Sequence, residues 1–179
     1  MTDDIAVPEP ETDGPAARLD PAYTLGERDM LEAWLAFHRE TLRWKIDGLD
    51  AEQIKQRSVP PSTMSLLGLV RHMADVERNW FRRVLAGEDA PGIFWSDEYP
   101  EGEFDMVDDA VVADDVATWQ SEIEAATALA VARSLDDTGL RRGQPCSLRW
   151  IYVHMIEEYA RHNGHADLLR ERIDGAIGA

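Results

Sequence analysis

The stretch LRWIYVHMIEEYARHNGHADLLRERID, residues 148–174, places several histidines and a glutamate inside an apolar helical stripe. Ser147 precedes it and can cap a helix, which the pattern predicts from about Leu148 to Ile173. Successive helical residues turn by about 100°, so with Glu158 at zero His154 and His162 fall about 40° to either side and His165 about 20° off. Leu148, Ile151, Met155, Leu169 and Ile173 share that sector. The carboxylate and the imidazoles therefore lie within the apolar stripe and not opposite it. Glu157 points roughly 100° away, toward the edge.

A buried carboxylate is costly unless it is protonated, paired or bound to a metal. Glu158 and His162, one turn apart, offer an oxygen and a nitrogen to one ion, the i,i+4 geometry in which helical ligand pairs share a zinc. A third ligand has to come from another helix. His72, one turn after Leu69 and one before Val76, is the natural donor. Three protein ligands leave a coordination position open, as in catalytic rather than structural sites, and a nitrogen and oxygen set suits zinc, nickel or iron. Other roles stay open for these residues. An inward histidine is often only a core residue, and Glu158 can pair with Arg161, or with Arg71 or Arg78 of another helix. A shift of register would use His154 with Glu158. His165, two residues before Asp167, reads either as an outer partner of the ligands, or a proton shuttle, or as a cap on buried polar groups.

Working outward, three more helices appear. Leu31, Trp34, Leu35, His38, Leu42, Lys45 and Ile46 recur at helical spacing after Thr24 and Glu27, which have capping-box spacing, and Gly48 is a plausible stop. His38 reads as a core histidine. Pro60 and Pro61 break the chain, and Ser62 or Thr63 can cap a second helix ending near Gly87, with Leu66, Leu69, Val70, Met73, Val76, Trp80 and Val84 as its stripe. A third helix is predicted from about Val111 to Leu135. Gly139, Gly143 and Pro145 mark the loop after it, and no segment shows strand periodicity. Between the second and third helices runs a long connection, residues 88–110; nine acids and no lysine or arginine lie between Ser96 and Asp115. A connection of that length is either functional, as a lid or partner contact, or a solvated crossover between distant helix ends. The expected fold is all-α: a four-helix bundle over residues 23–175, with a long crossover between helices 2 and 3. Residues 1–22, with six acids and four prolines, read as a flexible acidic tail.

Composition narrows the function. The net charge of −17 argues against nucleic acid and anionic membrane as partners. The single cysteine, Cys146, suits a reducing compartment, and the absence of a signal peptide or spanning segment points to a cytoplasmic protein. Cys146 sits just before the fourth helix, where a thiol can be activated, but no base is paired with it in the sequence and it reads as inert. Arg71, Asp75, Asn79 and Arg82 flank His72 as contacts for polar ligand groups or as surface salt bridges. Trp34, Trp44 and Trp119 offer apolar surface for a homodimer.

The segments SLLGLVRHMADVERNWFRRVLAG (65–87) and HMIEEYARHNGHADLLRERIDG (154–175), with LRWKIDGLD (42–50) and SVPPSTMSLLGLVRHMADVE (58–77), resemble the DinB-like superfamily. The resemblance covers about residues 24–175 and is nearest the actinobacterial branch related to mycothiol-dependent maleylpyruvate isomerase. It implies a four-helix bundle with a metal triad, one histidine from the second helix and two ligands four residues apart in the fourth. Many relatives have histidine at both fourth-helix positions; Glu158 departs from that and matches a His–Glu–His version. Carried over, the triad is His72, Glu158 and His162. The resemblance further implies a divalent metal, zinc ahead of nickel or iron, that activates a small thiol such as mycothiol or bacillithiol toward an electrophile, in S-transfer or isomerisation. The isomerases carry a further C-terminal domain, expected to be missing here, which leaves the reaction open. The alternative is a non-catalytic metal-binding protein of stress response or interaction.

Overall fold

The computed structural model describes residues 20–177, so most of the acidic tail lies outside the described residues. The chain is a helical bundle with one two-stranded hairpin. Four long helices build it: α1 (Glu27–Ile46), α3 (Leu66–Glu77, continued as a π-helix over Arg78–Leu85), α5 (Val112–Val131) and α6 (Leu148–Asp174). Two short helices, α2 (Ala51–Lys55) and α4 (Gly102–Asp105), lie in the connections.

Cross-helix pairs give the directions. Arg71 meets Asp115 at 2.5 Å and, further along both elements, Arg78 meets Glu122 at 2.6 Å, so α3 and α5 run parallel. Arg149 reaches Glu27 at 2.7 Å, and Asn163 Nδ2 donates to the His38 carbonyl at 3.0 Å, so α1 and α6 also run parallel. Tyr159 donates to Glu77 at 2.8 Å while the earlier Trp150 packs on the later Trp80 at 5.1 Å, so α6 opposes α3. The bundle is up–down–down–up. Two parallel neighbours joined in sequence need a link that retraces the helix, roughly 30 Å for twenty residues at about 1.5 Å each. That is why residues 86–111 form a long crossover.

The helix ends differ from expectation in detail. No side-chain cap forms at α1, whose N-cap is Gly26; the reciprocal capping box is made at α2 by Asp50 and Gln53. Ser65, and not Ser62 or Thr63, caps α3 by accepting from Gly68 N at 3.0 Å. Ser147 caps α6 as expected, accepting from Trp150 N at 3.2 Å. α5 stops at Val131, and Leu135 tucks into the core from the turn beyond. The loop around Gly139, Gly143 and Pro145 is a β-hairpin, β1 (Thr138–Arg141) with β2 (Gln144–Ser147). Its strands have four residues each and contain Gly139 and Pro145, so no apolar alternation announces them. Arg142 and Gly143 both have positive φ, the two-residue turn that matches strand twist. Gly139 is required by packing: a Cβ there would lie 1.9 Å from the Val84 carbonyl oxygen.

The core holds Leu35 and Leu42 of α1, Leu66, Leu69 and Met73 of α3, Trp119 of α5, and Ile151, Met155 and Tyr159 of α6. The π-helix changes the second helix's stripe. Ala86 N donates five residues back to Phe81 O at 3.1 Å, and Phe81 and Leu85 are buried alongside Trp80 and Val84. Trp119 is fully buried, with its indole N–H donating to Tyr159 OH at 2.9 Å, so it supplies no dimer surface. No helix among the described residues is long and apolar enough to cross a membrane.

Candidate metal centre

The antiparallel face between α3 and α6 brings His72 against Glu158 and His162. One nitrogen from each histidine and one oxygen of Glu158 lie within 4.8 Å of one another. The His72 and His162 rings are 4.7 Å apart, nearly edge to face, and His162 Nε2 is 3.5 Å from Glu158 Oε2. His162 is buried, and burial, with His72, His165 and Arg161 nearby, pushes its imidazole down to about 4. Its ring is therefore neutral at ordinary pH, the form that donates a lone pair.

None of the arginines weighed as partners of Glu158 reaches it. Arg161 pairs with Glu157, Arg71 with Asp115, and Arg78 with Glu122. Among the described residues Glu158 is met by two histidines: His162, and His154, whose Nε2 lies 3.2 Å from Glu158 Oε1. His154 is clamped between Trp80 and Trp150, its ring centroid 4.4 and 4.9 Å from theirs. A second set of acidic and imidazole groups, His154, Glu157 and Glu158, comes from one helix alone and includes the exposed Glu157. It lacks a donor from across the bundle.

His165 faces the same centre, with Nδ1 at 3.3 Å from His162 Nδ1, so one of the two nitrogens carries the shared proton. Asp167, by contrast, turns to the buried Lys45 at 2.6 Å. Of the residues flanking His72, Arg71 is occupied by Asp115 and the Met106 carbonyl, and Arg82 by Glu88 and Glu122. Asp75 is buried and accepts from the Ile93 and Phe94 N–H groups at 2.7 and 3.0 Å. These three brace the bundle and the crossover, and are not free to meet a ligand. Cys146 is buried in β2, and burial raises its thiol against the pull of Arg141, in keeping with an inert cysteine.

The crossover adds a residue that helical periodicity did not single out. Glu103 of α4 places Oε1 at 3.3 Å from His72 Nδ1, and Phe104 stacks on that ring at 5.6 Å. Gly68 makes room for it, since a Cβ there would lie 2.7 Å from Phe104 Cδ1.

A family model for mycothiol-S-transferases matches residues 30–175, a span that takes in every residue of this centre. The chain belongs to the mycothiol-S-transferase family. That family lies within the DinB-like superfamily. Membership gives the chain a mycothiol-related function of transferase or isomerase type, with a small-molecule thiol as substrate. No curated protein and no solved structure matches the chain.

Proposed function

We propose that the chain is a metal-dependent thiol S-transferase or isomerase-like enzyme whose divalent cation is held by His72, Glu158 and His162. The observation that carries this is the approach of three ligand-type atoms, drawn from two antiparallel helices, to within 4.8 Å of one another. The donor set fits a cation. His162 is neutral, Glu158 is half-buried and pairs with no arginine or lysine among the described residues, and His72 has Nδ1 engaged and Nε2 left over. Zinc agrees best with three nitrogen and oxygen ligands and one open position; nickel and iron suit the same donors. When bound, the ion would supply positive charge that favours the thiolate of a small thiol over its protonated form.

The chain's own groups do the rest. His154, held between two tryptophans, fixes Glu158 Oε1 and leaves Oε2 turned toward His162. His165 holds His162 through the Nδ1 contact, accepting the His162 Nδ1–H so that Nε2 keeps its lone pair. Trp150, 49% exposed above His154, offers an open aromatic face beside the centre.

The test is conjugation of mycothiol to a generic electrophile by protein as purified, after chelation, and after reloading with zinc. Thiol consumption that vanishes on chelation and returns with zinc is the expected result. Conjugation at equal rates with and without metal would refute the metal's role, and metal binding with no conjugation above the protein-free rate would instead favour a non-catalytic metal-binding member of the family.

A further inference from the structure

Glu103 is an acid without a structural explanation of its own. Its side chain is 9% exposed, and among the described residues it meets no lysine or arginine. One carboxylate oxygen, Oε1, faces His72 Nδ1 at 3.3 Å; the other, Oε2, is buried with no hydrogen-bond partner. Such a group is expensive to keep buried unless positive charge lies close by. Among the described residues, the one route to positive charge in its hydrogen-bond and ion-pair contacts is through the His72 ring.

Glu103 is also held firmly where it is. Arg57 Nη2 donates to the Phe104 carbonyl at 3.3 Å, and Arg71 Nη1 donates to the Met106 carbonyl at 2.7 Å, which pins the chain just after Glu103 from two sides. Phe104 stacks on His72, its ring tilted by 27° and centred 5.6 Å away. The crossover thus delivers a carboxylate to Nδ1 of His72, which leaves Nε2 as the nitrogen available to an ion.

We infer that Glu103 is the positioning residue of the centre: it accepts the Nδ1–H of His72, fixes that tautomer, and so presents Nε2 to the metal. This rests on the metal reading given above and extends it to a residue of the crossover. A carboxylate behind a ligating histidine both orients the ring and raises its basicity, and losing one typically weakens metal binding by about 10- to 100-fold. Free neutral histidine in water favours the opposite tautomer, with the proton on Nε2, so the effect is visible with no metal present.

Two measurements on the full chain test this, for wild type, Glu103→Ala, Glu103→Gln and His162→Ala. The first is long-range 15N–1H correlation of the His72 ring in metal-free protein at pH 8. The wild type should show Nδ1–H, Glu103→Ala should move to Nε2–H, and Glu103→Gln, whose amide oxygen still accepts, should keep Nδ1–H. The second is cobalt(II) affinity by chelator competition, with the visible d–d spectrum. Glu103→Ala should bind about 10- to 100-fold more weakly with an altered spectrum, and Glu103→Gln should lie between it and wild type. A wild-type ring already in the Nε2–H form overturns the inference, as does a Glu103→Ala protein with unchanged tautomer and cobalt affinity. Failure of the metal reading looks different: wild type and His162→Ala would then take up cobalt equally poorly. If far-UV circular dichroism shows Glu103→Ala unfolded, unaltered cobalt affinity and spectrum in Glu103→Gln overturn the inference, and a weakened, altered site supports it.

Discussion

Replacing Arg39 by Met tests the energetics that hold the centre's two helices in register. Glu77 is fully buried and takes three hydrogen bonds: Arg39 Nε and Nη2, both at 2.7 Å, and Tyr159 OH at 2.8 Å. Arg39→Met removes two of these and the one opposite charge paired with Glu77 among the described residues, leaving an ion in the core with one neutral donor. Breaking a buried pair from one side costs about 3–5 kcal/mol. At about 2–4 °C per kcal/mol for a chain of this size, Tm should fall by roughly 6–20 °C. Adding Glu77→Gln removes the orphaned charge while its amide oxygen still accepts from Tyr159, so the double variant should recover most of the loss. Because Glu77 and Tyr159 lie close in sequence to His72 and Glu158, the single variant should also bind cobalt more weakly. Thermal melts and urea titrations of the four proteins in the cycle read this directly. A loss below about 1 kcal/mol for Arg39→Met, or a double variant at the sum of the single losses, would refute the reasoning.

Three further outcomes are expected. Glu158→Gln should lower metal affinity far more than Glu157→Gln, because Glu157 is exposed and tied to Arg161; equal losses in a chelator competition would mean that the register of the centre is wrong. Gly139→Ala should cost about 1–3 kcal/mol through forced displacement of the hairpin from Val84, read by urea denaturation, with a neutral result contradicting the close packing. Cys146 should react with a disulfide reagent at pH 8 much more slowly in native protein than in guanidinium. Since burial raises its folded-state thiol, the unfolded thiol ionises first as pH rises, and stability should fall through that alkaline interval, absent in Cys146→Ala.

Much of the bundle is legible in the sequence because its helices bury clean stripes. Leu148, Ile151, Met155 and Leu169 share a face with His162, and all five are buried. The crossover is legible as length and charge, but its purpose depends on α3 and α5 being parallel, which no local pattern states. The same limit hides Glu103: in a run of nine acids nothing in the spacing separates the two buried ones, Glu103 and Asp115, from their solvated neighbours. Asp115 and Glu122 look equally ordinary until Arg71 and Arg78 come across from α3. The π-helix escapes notice because Trp80 and Val84 fit a regular helix as well as they fit a widened one. Trp119 misleads in the other direction, since an indole suited to a surface contact is in fact buried, with its N–H given to Tyr159.

The paired directions of the helices have a mechanical outcome. α1 with α6 and α3 with α5 form two slabs, and the centre straddles the seam between them, taking His72 from one slab and Glu158 and His162 from the other. Sliding one slab along its neighbour by a single helical residue, about 1.5 Å, would spoil the convergence of the three donors. An ion gripped across that seam acts as a rivet, so its loading and the resistance of the slabs to shear rise and fall together.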